Sequence, residues 1–515
     1  MTLQLRAILA GLSLSVLAPA LRTLAADPVE TDSIRTKADE ALAKNDWSAA
    51  EPLLRTLVQR QPRDFVSLYN LACARAVQGD SRESGEFLAR AVENGFDDYR
   101  KLTGDPDLAG VRGSETYKQL VAGWQAILIA RRDANIEQAR KIFKNPDDGT
   151  VYTEFVDEKR RFIYRSAFNP AEFNKARAEI EGLGEWAERE IFPGLWSVDE
   201  VKFDPWVVIV LPSKRDFLTW LVVEFGPAAR TGFSTIGGSY VHEKKQLVSQ
   251  DLGSTLRHEF FHVLHWRDSV RKGQAQEYWV QEGLASLVED VDVPKGASYA
   301  NLKPVPSWRT NIVQRRDRSN TLMPLDKFCV QPREKFLSSQ QLANYAQARA
   351  IFLYLYDAGK LRAWYDAYGA ALPSSRAGVL AFESAIGRPM KETERDFRAW
   401  VRRLPEVAEE IREGMASLGV EVESGAGDGV TVTSIIEPPN KGAANIIPAL
   451  ALPGVKGEIR IGDVITSVGG QATRDVAELV RVLGMKKPGD EVVVTYRRRS
   501  QAGEATIRLI AKSAS

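Results

Sequence analysis

This 515-residue sequence predicts a multidomain α+β protein, and three observations carry that prediction. At roughly 100 to 200 residues per domain, the length implies about three to five folded units. Residues 31–121 are rich in Ala, Leu and Arg and match themselves at an offset of 34: Ala38 falls on Ala72, Asp46 on Asp80, Leu53 on Phe87, Leu54 on Leu88 and Val58 on Val92. Near Glu406 the helix-forming composition gives way to short alternating runs of Gly, Val and Ile, the pattern of half-buried strands. The middle, residues 126–405, mixes both patterns. Hydrophobic residues at 44% and charged residues at 27% suffice for real cores, and a net charge of +1 offers no global field for nucleic acid or an acidic membrane. Cys73 and Cys329 are the whole cysteine complement, so any metal must be held by His and carboxylates.

In chain order, residues 1–26 come first. Arg6, the apolar run 7–17, Pro19 and the small-residue ending Thr23-Leu24-Ala25-Ala26 predict a secretory signal peptide. The run is shorter than the ~20 residues of a spanning helix. The expectation is an exported protein, periplasmic in a bacterium or secreted, with no stable membrane span after cleavage. Residues 27–125 then contain AKNDWSAAEPLL and AVQGDSRESGEFL, whose Asp46 and Asp80 are 34 residues apart, and the two stretches resemble tetratricopeptide repeats. That resemblance implies stacked helix pairs with a concave face for an extended peptide or a partner protein.

In the middle block, residues 162–168 and 206–211 read as strands, 172–190 and 216–224 as helices, and 235–248 as a hairpin. Around Ser239 to His242 an exposed edge is expected to pair with an extended peptide. A helix follows, with Ser254 as its predicted N-cap. All four histidines lie between His242 and His265, three of them in His258-Glu259-Phe260-Phe261-His262-Val263-Leu264-His265. His258 and His262 are one turn apart and project from one face, while Glu259 beside them is suited to receive a proton from water. His265 lies about 10 Å along the axis from His258, too far to share one small ion.

Beyond His262 the sequence reads Tyr278-Trp279-Val280-Gln281-Glu282-Gly283-Leu284-Ala285, with Glu282 twenty residues after His262. The two motifs together resemble the zinc helices of gluzincin metallopeptidases, the thermolysin-like group. The resemblance implies a central α+β peptidase domain with one Zn²⁺ on His258, His262 and Glu282, Glu259 as general base, and a peptide or protein substrate. Without the G-x-M-E-N motif by which aminopeptidases of that group hold a free N-terminus, endopeptidase activity is the expectation. Glu289 is either an orienting partner of a zinc-binding imidazole or a solvated carboxylate, and Tyr345 either an oxyanion donor or a packed helix aromatic. Both alternatives stay open at this point.

Residues 406–515, with SLGVEVE, GVTVTSII, IRIGDVITSVGGQATRDVAELVRVL and KPGDEVVVTYRR, resemble the PDZ domains of bacterial periplasmic proteases. By motif position the loop that captures a peptide's C-terminal carboxylate falls on Leu418, Gly419 and Val420. The stretch 437–461 is longer than the usual connection and is expected to cover part of the groove. A scaffold or adaptor that binds partners through its end domains, with a non-catalytic peptidase-like core, is the competing expectation. A zinc hydrolase acting on a non-peptide substrate is the third.

Overall fold

The computed structural model describes residues 28–144, 151–230, 237–294, 296–372, 374–424, 429–436, 459–498 and 501–512. The predicted signal peptide and nearly all of the stretch 437–461 lie outside them. Helix hairpins open the described chain, Pro28–Ala43 with Trp47–Arg60 and Phe65–Val77 with Ser81–Glu93. The 34-residue offset has a local cause. Asn45 and Gly79 both turn the chain with positive φ, 54° and 86°. Asp46 and Asp80 then cap the second helices, accepting from the N–H groups of Ala49 and Glu83 at 3.0 Å each. Ala38, Ala50, Ala72 and Ala91 are fully buried where the helices meet. The helix Trp124–Ile142 leaves this region. Its start packs among the N-terminal helices, and Ile136 and Ala139 pack beneath the sheet that follows.

That sheet has five strands, β1 Thr153–Asp157, β2 Phe162–Ser166, β3 Val207–Leu211, β4 Gly238–Val241 and β5 Gln246–Ser249, in the order β1-β2-β3-β5-β4. β2, β3 and β5 run parallel, and β4 is an antiparallel edge. Parallel strands need both faces covered. Phe162, Tyr164, Val207 and Ile209 face the main core, whereas Ile163, Val208, Val210 and Val248 face a second cluster with Phe217 and Trp220. The helices Pro170–Glu190 and Lys214–Phe225 extend the predicted 172–190 and 216–224 at their ends.

Past the sheet the domain is helical: Ser254–Arg271, Tyr278–Leu287, Trp308–Arg318, Gln341–Asp357, Leu361–Ala371, Ala377–Ile386 and Met390–Arg403, with a small ribbon of β6 Val291–Asp292 on β7 Lys303–Pro304. One expectation is corrected here. Gly253 occupies the N-cap position, and Ser254 is the first helical residue. Its hydroxyl instead donates to Asp475 at 2.8 Å, across to the C-terminal domain.

The C-terminal domain has its own core, around Val430, Ile465, Leu479 and Val494. Its strands are β8 Ala416–Ser417, β9 Val420–Ser424, β10 Val430–Ile435, β11 Val464–Val468, β12 Gln471–Ala472, β13 Glu491–Arg498, β14 Gln501–Arg508 and β15 Ile510–Ala511, with one helix, Val476–Gly484. The main sheet runs β14-β13-β11-β10-β9. The domain seats the start of its helix on the helix Ser254–Arg271. Arg257 and Glu478 pair at 2.9 Å, both nearly excluded from solvent, and Arg474 pairs with Glu179. Buried pairs of this kind add little net stability, but they fix orientation because breaking one strands a charge. No helix among the described residues is long and apolar enough to cross a membrane.

Candidate metal centre

The helix Ser254–Arg271 is amphipathic in a way that sorts its chemistry. Leu256, Phe260, Phe261, Val263 and Leu264 are fully buried in the main core. His258, Glu259, His262 and Trp266 face a cleft of about 710 Å³. The helix Tyr278–Leu287 brings Glu282 to the same cleft, and its other side explains the neighbouring residues. Trp279 stacks on Phe352 with centroids 5.6 Å apart. A Cβ at Gly283 would stand 2.6 Å from the Phe352 ring, so only glycine lets this helix approach the helix Gln341–Asp357 so closely.

The structure brings His258, His262 and Glu282 together. The two Nε2 atoms are 3.1 Å apart, and Glu282 Oε2 lies 3.4 Å from His258 Nε2 and 3.7 Å from His262 Nε2. Ligand atoms about 2.0–2.1 Å from a tetrahedral ion stand roughly 3.3–3.4 Å from one another. The triangle therefore fits one zinc-sized ion, and the donor set of two imidazoles and a carboxylate suits zinc. Among the described residues these three are the group whose ligand atoms converge in this way.

Electrostatics make the same point. Burial works against charge on His258, but hydrogen bonds to Glu282 and Glu289 overcome it and push its pKa up to about 10. Burial raises Glu282, and the two histidines outweigh it and bring it down to about 2. The carboxylates that favour a proton on His258 would equally favour a cation there, while burial lowers the pKa of His262 and favours its neutral, lone-pair-bearing form.

Glu289 is buried, with an oxygen 2.9 Å from His258 Nδ1, and it accepts from Arg309 Nε at 2.8 Å. Of the two alternatives read from sequence, the solvated carboxylate is thus excluded. The contact orients the ring so that Nε2 faces the cleft. Glu259 does not join the triangle, and its Oε2 accepts from the backbone N–H of Tyr240 on β4 at 2.9 Å. His265 stands apart, with Nε2 2.7 Å from Gln276 Oε1 and its ring stacked on Phe192. Burial lowers its pKa to about 4, which keeps it neutral.

Tyr345 lines the cleft, its hydroxyl 3.2 Å from that of Tyr278. Burial, then the nearby Glu282 carboxylate, push both phenols up, so both keep their protons at neutral pH and can donate. Tyr278 was not singled out from the sequence. Its signal was available, since it stands one helical turn before Glu282.

Ser239, Tyr240 and His242 line the cleft along the free edge of β4. Far along the chain, Leu418 is buried in the C-terminal core, and Gly419 has φ 72°. The Gly419 N–H donates to Ser417 Oγ at 3.0 Å, and Val420 opens β9. That N–H is therefore engaged within the domain.

Comparison with known proteins identifies the C-terminal domain. Residues 416–509 match the PDZ domain family and form a PDZ domain, a class of module that binds peptides or proteins. No curated protein matches the chain. Among solved structures, a crystal structure of an aminopeptidase N family protein from Idiomarina loihiensis is similar at 9% identity, covering 70% of this chain and 67% of that one, with a TM-score of 0.15. A likeness that faint assigns neither fold nor activity.

Proposed function

We propose that this chain is an exported zinc-dependent metallopeptidase that cuts within polypeptides. The observation that carries the proposal is the convergence of His258, His262 and Glu282 beside an unligated Glu259 on the wall of an open cleft. His258, His262 and Glu282 would hold the ion. When bound, zinc supplies a Lewis acid that activates water at neutral pH and polarises a peptide carbonyl. The remaining work falls to the chain. Tyr240 N–H holds Oε2 of Glu259, leaving Oε1 to take a proton from the attacking water and return it to the departing amine. The Tyr278 and Tyr345 hydroxyls are placed to donate to negative charge developing on the carbonyl oxygen. The edge of β4 offers main-chain pairing to an extended substrate, which gives affinity with little dependence on sequence. In this reading the PDZ domain, with its Leu418-Gly419-Val420 loop, and the tetratricopeptide-like helices recruit substrate or partners.

Metal removal tests it. Zinc-loaded protein is expected to release internal fragments from an unfolded protein, to stop when the metal is chelated, and to resume when zinc is returned. Fragments are read by mass spectrometry. Release of single N-terminal residues alone would replace the endopeptidase reading with an exopeptidase one. The adaptor reading draws on the PDZ domain and its rigid seat on the helix that carries the histidines. It wins if the zinc-loaded protein hydrolyses nothing yet binds peptides through that domain.

A further inference from the structure

A second cavity of about 190 Å³ lies at the seam between the N-terminal helices and the sheet-containing domain. Its walls hold a set of aromatic rings, Phe65, Tyr69 and Phe96 from one side and Phe203 and Trp266 from the other, with charged residues, Asp98 and Lys101 among them, between the rings. His242, Trp266 and Val270 line both this cavity and the cleft, so the two adjoin at these side chains. We propose that this cavity is a substrate subsite, shaped for a large uncharged side chain, aromatic above all, on an extended polypeptide whose scissile bond lies at the metal centre. The proposal rests on the peptidase reading of the cleft and adds a substrate class to it.

Size and polarity select the occupant. An apolar cavity of ~150 Å³ accommodates a benzene molecule, so about 190 Å³ takes one aromatic ring. The lining rings pack on one another, Tyr69 stacked on Phe96 at 4.5 Å and Trp266 edge-to-face with His242 at 4.9 Å, and Lys101 and Lys245 lie over Tyr69 and Trp266. Most charges around the cavity are already paired. Lys245 pairs with Asp97 at 3.1 Å, Arg100 with Glu200 at 2.6 Å and Arg267 with Asp204 at 3.7 Å. Asp98, by contrast, caps its helix by accepting from the Lys101 backbone N–H at 2.8 Å, and the Lys101 ammonium lies 4.7 Å from the Tyr69 ring centroid. A charged side chain would lose its hydration on entering between these rings.

Position selects the register. Trp266 lies four residues beyond His262 and Val270 eight, about 6 and 12 Å along the helix. An extended chain rising about 3.3 Å per residue covers that span in roughly two to four residues. His242 likewise stands two residues beyond Tyr240, whose N–H holds the general base. The seam itself is fixed by the Arg100 and Lys245 pairs and by Tyr99 stacked on Phe203 at 4.2 Å, so the cavity exists before substrate arrives.

The test is the cleavage profile of the zinc-loaded full-length protein on a randomised peptide library, with Val66→Trp and Asn70→Trp as cavity-filling variants on separate rim positions. The expected result is a preference of roughly ten- to a hundredfold in kcat/KM for Phe, Tyr or Trp over Ala at one position about two to four residues from the cut. Each variant should collapse that ratio toward one. A flat profile, or a preference that both variants leave intact, overturns the subsite. Equilibrium binding separates this failure from failure of the peptidase reading. Zinc-loaded Glu259→Gln protein should bind a Phe-containing peptide more tightly than its Ala analogue, and lose that difference when Val66→Trp is added, whether or not any peptide is cut. Equal binding of the two peptides overturns the subsite on its own.

Discussion

Glu259→Gln is expected to lower turnover of an unfolded protein by about 100- to 10,000-fold while leaving zinc content and the folded state unchanged. Glutamine keeps an oxygen to accept the Tyr240 N–H that now meets Oε2 at 2.9 Å, so the side chain stays in place. It lacks only the basicity needed to take a proton. Because Glu259 is outside the triangle of metal-ligating atoms, the ion should remain. Rates on a fluorogenic unfolded protein, paired with elemental analysis, check both halves. Equal rates in the two proteins would remove Glu259 from the chemistry, and a variant that also lost zinc would make it a ligand.

Glu282→Ala should act on the metal itself. Losing an outer hydrogen-bonding partner of a ligand costs roughly 10–100-fold in affinity, and losing one of three ligands should exceed that. Two imidazoles would remain with no carboxylate bonded to the ion, since Glu289 reaches only the far nitrogen of His258. Competition against a chelator of known affinity measures the change, and turnover at limiting zinc should fall in step. Retention of wild-type affinity would exclude Glu282 from the centre.

How much of this was legible in the chain differs residue by residue. His258 and His262 follow from spacing, because a one-turn separation on a helix puts both rings on one face. Glu282 came from resemblance, since a twenty-residue gap says nothing about distance in space. Glu289 stayed undecided until burial and the 2.9 Å contact to His258 were known. The Tyr240 donor and the Ser254–Asp475 bond join residues 19 and 221 positions apart, and no local pattern encodes such pairings. Strands were readable from β-branched runs, but the placement of β5 between β3 and β4 was not, because a single sequence carries the identity of strands and not of their neighbours. At the C-terminus, alternation and turn glycines sufficed, and the PDZ match to 416–509 agrees with that resemblance. The aromatic seam cavity had no sequence signature, as its walls come from five separate segments.

The most direct measurement is anomalous diffraction at the zinc edge from crystals of the zinc-loaded protein. One peak is predicted, within bonding distance of His258 Nε2, His262 Nε2 and a Glu282 oxygen, with Glu259 uncoordinated. A map from actively hydrolysing protein with no peak at that position, or with its metal held by other side chains, would contradict the account.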